Sequence, residues 1–207
     1  MNAANIALSV AGLGVGVVST GIAAMSFMRQ TRRAASRVRY DEGQYLVNVR
    51  YFGWLDIRDF VQPTNPDVVA LYLKYGPDYW PLYDFVCRAI SYRSDFGEYW
   101  YFPEETLARK QGDCEDSAIL LCSLLQNSFN SYVALGSYQG YGHAWVYLGQ
   151  ILETTFTRAQ VTPDPGNYVP YLYFNDREVI ELWPGALQDI YSVPRKEGTK
   201  LRLMARG

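Results

Sequence analysis

Only one histidine, His143, occurs in this chain, so any chemistry that needs an imidazole has a single residue to use. Cysteine is scarce too. Cys87, Cys114 and Cys122 are an odd number without CxxC spacing. They supply neither a disulfide framework nor a zinc ribbon, and they fit a reducing compartment better than an oxidising one. No ligand spacing joins them to the histidine, so no metal is expected. A dinucleotide loop is missing as well. Gly12-Leu13-Gly14-Val15-Gly16 has Val17 where the third glycine belongs, and no predicted strand leads into it; no cofactor is expected. There is also no excess of positive charge. A net charge of −2, with 49% hydrophobic and 19% charged residues, excludes a strongly basic nucleic-acid binder, a disordered tail and a collagen-like fibre. No internal repeat or low-complexity tract is present.

Charge is missing altogether from Ile6 to Met28, a run of 23 residues. As a helix it would extend roughly 35 Å, enough to cross a hydrocarbon core of about 30 Å. Arg29, Arg32, Arg33, Arg37 and Arg39 follow, and no Lys or Arg precedes. This order fits a cleavable signal peptide poorly. The expectation is a transmembrane helix over residues 1–28, a basic juxtamembrane segment over 29–39 and one domain over 40–207. The positive-inside rule puts that domain on the cytoplasmic side of a single-pass membrane protein. The glycines at 12 and 16 have GxxxG spacing that suits a helix–helix dimer, although small residues are common in membrane helices anyway. The arginines suit anionic headgroups or serve as a plain stop signal. Residues 40–207 keep 14 Lys/Arg against 21 Asp/Glu, so this part is acidic and no nucleic-acid partner is expected.

Beyond residue 40, helical signals come first and strand signals later. Asn65-Pro66-Asp67 is a cap with proline at the first helical position, followed by Val68–Tyr75 and the stop Gly76. A second helix is predicted over Leu82–Ile90, and a short one over Pro103–Arg109. Between them, Ser94–Phe102 is an aromatic loop or strand. Alternating patterns then cover Tyr132–Tyr138, His143–Leu148, Ile151–Phe156, Tyr168–Phe174 and Val179–Trp183. Helices followed by an antiparallel sheet predict an α+β fold.

The apolar residues Ala118, Leu121, Cys122 and Leu125 repeat at helical spacing. Asp113 is placed to cap that helix, with Asp116 completing a capping box. Cys114 then holds the first helical position, where free N–H groups and the helix dipole favour a thiolate. Asp113, Glu115 and Asp116 oppose that effect, so the thiol requires an imidazolium partner. Cys87 and Cys122 sit inside predicted helices as small hydrophobes. His143 opens a strand after Gly140 and Gly142. A three-residue loop Tyr147-Leu148-Gly149 predicts a hairpin pairing Val146 with Gln150 and His143 with Glu153, about 4.5–5.5 Å apart at Cβ. Thiol, imidazole and carboxylate then form a nucleophile, a base and a group that orients it.

Gly112-Asp113-Cys114-Glu115-Asp116, Gly142-His143-Ala144-Trp145 and Ile151-Leu152-Glu153-Thr154-Thr155 together resemble the transglutaminase-like cysteine peptidase superfamily, and are most similar to its short microbial and viral members. The resemblance covers about residues 80–157. It implies a papain-like core, in which a helix carrying the cysteine packs on an antiparallel sheet. It also implies a catalytic triad of Cys114, His143 and Glu153, with Glu153 where the family usually has Asp. The implied chemistry is acyl transfer or hydrolysis on a peptide, isopeptide or Gln side-chain amide of a protein or peptide substrate, through a thioester. Gln111 and Tyr101 are candidate oxyanion donors, and the aromatic residues, Trp145 among them, are candidates for the substrate groove. The other class of reading is a catalytically silent transglutaminase-like module that binds a protein partner at the membrane.

Overall fold

The computed structural model describes residues 37–51, 53–94 and 97–195. Ile6–Met28, the expected spanning helix with its GxxxG dimer face, lies outside these residues. Among the described residues no helix is long and apolar enough to cross a membrane. The longest has 12 residues and extends about 18 Å, far short of a hydrocarbon core of about 30 Å. The expected single-pass architecture, and the cytoplasmic placement drawn from it, are corrected accordingly. Two residues of the arginine cluster belong to the fold itself. Arg37 donates to Gly97 O (3.1 Å), and Arg39 lies in the first strand and pairs with Asp41 (3.2 Å).

Three antiparallel strands, β1 (Val38–Asp41), β2 (Gln44–Arg50) and β3 (Gly53–Asp56), form a small sheet that the sequence pattern did not reveal. Helices α1 (Pro66–Tyr75) and α2 (Tyr79–Ala89) follow. The α1 start is as expected, with Asn65 accepting from Asp67 N. The α2 start comes three residues earlier than expected, because Asp78 caps it by accepting from Trp80 N. Next come β4 (Ser91–Tyr92), α3 (Pro103–Arg109) and β5 (Gln111–Gly112), with β4 and β5 paired in parallel. Arg50 ties the first sheet to α3 by a bidentate pair with Glu105 (2.7 and 2.8 Å) and lies over the Phe102 ring at 4.3 Å.

Helix α4 (Cys114–Leu125) is buried at every residue. It packs against β7 and α2 in the main core. The larger sheet contains β6 (Tyr132–Tyr138), β7 (Tyr141–Tyr147), β8 (Ile151–Leu152), β9 (Tyr168–Phe174) and β10 (Val179–Glu181), in the antiparallel order β10-β9-β6-β7-β8. A final short helix, α5 (Ala186–Ile190), closes one end of the core. The architecture is therefore α+β.

Strand alternation divides β7 between two environments. Ala144 and Val146 join the main core, whereas Trp145 lies in a second cluster with Ala134, Tyr138 and Tyr168. His143 shares the Trp145 face. Its position is set by the two-residue turn Gln139-Gly140, both at positive φ (52° and 82°), which closes the β6–β7 hairpin and pairs Gly136 with His143. Gly136 sits where the β6–β9 register shifts, and a Cβ there would lie 2.1 Å from Val169 O and 2.9 Å from Trp145 Cη2. Both contacts are rigid, one being backbone and the other a buried ring. Gly136→Ala should therefore destabilise the protein by about 3 kcal/mol, read as a lower urea midpoint. An unchanged midpoint would contradict this packing.

Candidate active site

Cys114 opens α4 as expected. Asp113 accepts from Glu115 N (3.1 Å) and Asp116 N (3.4 Å), and Asp116 accepts from Asp113 N (3.1 Å), which closes the capping box. Asp116 also accepts from Tyr101 N (2.8 Å), so the same carboxylate anchors the aromatic segment before α3. Gly112 is required here: a Cβ at this position would come within 2.6 Å of the Asp116 Cβ.

His143 and Glu153 do meet, with Nε2 and Oε2 2.7 Å apart and both side chains almost fully enclosed. The register that brings them together differs from the expected one. β7 pairs Val146 with Leu152 and Tyr147 with Ile151, a shift of two residues. The tip is Leu148-Gly149-Gln150, with Gly149 at φ 66° and Leu148 N donating to Gln150 O (2.9 Å). A shift of two keeps every side chain on its face, so the pair survives, but diagonally instead of directly opposite. Strand β8 also ends at Leu152, four residues sooner than expected. The cause is local. Glu153 Oε1 accepts from both Thr155 N (2.8 Å) and Thr155 Oγ1 (2.7 Å), which turns the chain away.

Tyrosines missed by the sequence reading complete this arrangement. The Tyr168 hydroxyl donates to Glu153 Oε2 (2.9 Å). The Tyr83 hydroxyl accepts from Glu153 N (3.1 Å) and donates to Glu153 O (3.0 Å), standing in for a strand neighbour. Trp145 stacks on His143 at 6.1 Å and 27°, buried in the second cluster rather than lining a groove. The sequence has 18 tyrosines, and that high count is the one feature of the composition pointing to these residues. Burial, the largest single effect on His143, pulls its pKa down, but the Glu153 charge and hydrogen bond outweigh it and raise the value above 6.5. Burial likewise pushes the Glu153 carboxyl up, and His143 and Thr155 hold it below 4.5.

The thiol has a different partner. Cys114 Sγ donates to Glu115 Oε2 (2.8 Å), and among the described residues it makes no hydrogen bond to His143. Burial, then the Glu115 and Asp113 charges, drive the Cys114 pKa well above its usual value, and Arg195 offsets part of this. Arg195 binds Glu115 Oε1 through Nη2 and Glu98 Oε1 through Nε, each at 2.5 Å. Pro194 O accepts from Gly142 N (2.9 Å), next to His143. Besides the packing of α4 on β7, a hydrogen-bonded link runs from Cys114 through Glu115 and the Pro194-Arg195 segment to Gly142 on the histidine strand.

Asp113, Cys114 and Glu115 have ligand atoms within 4.8 Å of one another; Asp113 Oδ1 accepts the cap N–H groups, and the thiol and Arg195 engage the two Glu115 oxygens. A cleft of about 430 Å³ begins beside Gly112 and is lined by Gln111, Tyr101, Tyr99 and Arg109. Gln111 Oε1 accepts from Arg93 Nη1 (3.0 Å), and Arg109 lies over the Tyr101 ring. A cavity of about 490 Å³ adjoins it near Arg37 and Glu98, and neither is lined by Cys114 or His143.

Residues 98–173, which contain Cys114, His143 and Glu153, match the family model of the CEP76 peptidase-like domain. This supports a peptidase-like fold. Among solved structures the chain is similar to LapG of Legionella pneumophila. For the EGTA-treated form the identity is 16% and the TM-score 0.43, covering 57% of this chain and 86% of that one. For the calcium-bound form the identity is 16% and the TM-score 0.42, covering 60% and 95%. A search of curated proteins finds no match. The family match reaches the level of a peptidase-like fold and does not extend to a short microbial or viral branch.

The single histidine makes the pair directly measurable by NMR. In the native protein His143 should titrate above 6.5, and in Glu153→Gln, with burial unopposed by that charge, below it. Linkage sets the pH dependence of stability. The raised His143 pKa contributes fully below 6.5 and is lost as pH rises through the folded value. The lowered Glu153 pKa contributes above 4.5 and is lost as pH falls through its folded value. The stability lost in Glu153→Gln, about 3–5 kcal/mol, should therefore peak between these limits. A deficit that does not vary with pH would rule out the ion pair.

Proposed function

We propose that the protein is a cysteine-dependent hydrolase or acyltransferase acting on amide bonds of a protein or peptide, with Cys114 as nucleophile, His143 as base and Glu153 as the group that orients it. The observation that carries this reading is the enclosed His143–Glu153 pair on the strand that packs against the Cys114 helix. Glu153 accepts at Nε2, so Nδ1 is the ring nitrogen left for the thiol proton. Once His143 holds that proton, the sulfur attacks the carbonyl carbon and the backbone N–H of Cys114 helps stabilise the oxyanion. The C–N bond breaks, and the imidazolium returns the proton to the leaving amine. The resulting thioester is resolved by water or by a second amine, which regenerates the thiol. For this sequence the thiol must exchange Glu115 for the imidazole.

The thiol's bond to Glu115, together with its raised pKa, favours the second reading, a silent peptidase-like module that binds a protein partner. The two readings give opposite results with peptide-library cleavage read by mass spectrometry. Catalysis predicts cleavage that falls by about 10³-fold or more in Cys114→Ala and in His143→Ala. Cleavage that persists in Cys114→Ala, or none by the native chain under any condition that exposes the thiol, would favour the silent module.

A further inference from the structure

The Cys114 helix packs on β7, and at the candidate site a further piece of the chain, Pro194-Arg195, bridges the helix start and the start of that strand. Pro194 O accepts from Gly142 N (2.9 Å), a backbone contact of the kind an extended peptide makes with a cleft wall. The next residue, Arg195, reaches the opposite wall and pairs with Glu115, the residue beside the nucleophile, and with Glu98. Its aliphatic stem passes 3.6 Å from where a Cβ on Gly142 would be, an ordinary van der Waals distance, so the segment lies against this glycine.

The carboxylates are not a solvated surface pair. The Glu115 side chain is 2% exposed and that of Glu98 is 10% exposed, and one guanidinium bridges them. Without a cation, two buried carboxylates would repel each other beside a thiol. The Tyr191 hydroxyl is enclosed close to the same charges and has no hydrogen-bond partner among the described residues, which leaves a polar group for a ligand to use.

We propose that Val193–Arg195 lies in the cleft as a substrate chain does, and that Glu98 and Glu115 form a subsite for the basic side chain of an incoming peptide. This deepens the functional reading above and rests on it for the identity of the cleft. The intact chain then holds itself closed with its own arginine. A substrate carrying Arg or Lys replaces that cation, so the carboxylate pair stays neutralised as the thiol becomes accessible. A peptide with a neutral residue at that position leaves two buried charges unanswered.

Alkylation of Cys114 by iodoacetamide, followed by mass spectrometry of the Cys114-bearing peptide, tests this without requiring turnover. A tethered segment acts at an effective concentration in the millimolar range. Arg195→Ala in the full-length chain also removes a cation that lowers the thiol's pKa, so rates are compared across a pH series. Per thiolate the variant should react about tenfold faster or more. Added acetyl-Val-Pro-Arg-amide should slow that reaction, and acetyl-Val-Pro-Ala-amide should not. Introducing Glu98→Gln into Arg195→Ala should weaken protection by the arginine peptide. Arg195→Lys, which keeps a cation, should stay close to the native rate; this also controls for misfolding, which would expose Cys87 and Cys122 to the reagent in parallel. Equal rates per thiolate for native and Arg195→Ala, or equal protection by both peptides, would overturn the proposal. If these results hold and no amide is ever cleaved, the subsite stands and the catalytic reading fails.

Discussion

A carboxylate with no exposed surface must have every lone pair satisfied by the protein, and Glu153 shows how much structure that demand organises. One oxygen takes two donors from Thr155, and the other meets His143 and the Tyr168 hydroxyl. Its backbone is satisfied by Tyr83, and the Cys87 thiol points to its carbonyl at 3.8 Å. These partners come from α2, β7, β9 and the turn after β8. A single buried charge therefore holds four parts of the fold together and fixes the His143 ring. Removing one donor would leave a lone pair of a buried charge unanswered, which costs more than the bond itself contributes.

The site contains a second enclosed carboxylate, Glu115, whose environment differs in one decisive respect. Glu153 has a titratable cation as its partner, whereas Glu115 has a guanidinium that keeps its proton throughout the accessible pH range. The first pair can take part in proton transfer, because the imidazole changes its charge. The second is fixed, and it accepts from the Cys114 thiol, which stays protonated while that contact lasts. The charges of Glu115 and Arg195 act on both Cys114 and His143. Freeing the Cys114 thiol is thus a question of rearranging Glu115 and Arg195, not of retuning the imidazole.

What the sequence revealed follows the range of the interactions involved. The α4 start was legible to the residue because Asp113, Asp116 and the apolar stripe settle it within a few positions. Glu153 was legible as the partner of His143 because a β-strand's period of two survives an error of two. The exact register was not, since it depended on which residues formed the Leu148-Gly149-Gln150 tip. Tyr83 and Arg195, 70 and 80 residues from the groups they serve, had no local pattern to mark them. The N-terminal sheet escaped for another reason. Its strands are short and mostly half-exposed, so alternation is weak, and the sheet is held by the nonlocal Arg50–Glu105 pair.

The same register accounts for glutamate at a position where the resembled family usually has aspartate. Continuing the pairs Val146–Leu152 and Tyr147–Ile151 by one step sets Glu153 opposite Trp145, and His143 lies two residues further along. Diagonal neighbours are about 7–8 Å apart, against about 4.5–5.5 Å for residues directly opposite. The additional methylene of glutamate covers about half of that difference, and the Trp145 ring lies on the same face beside His143. Trp145, Gly136 and Glu153 are thus linked choices. The indole needs the room that a glycine leaves on β6, and by taking the direct position it sends the carboxylate to the diagonal, where the longer side chain is required.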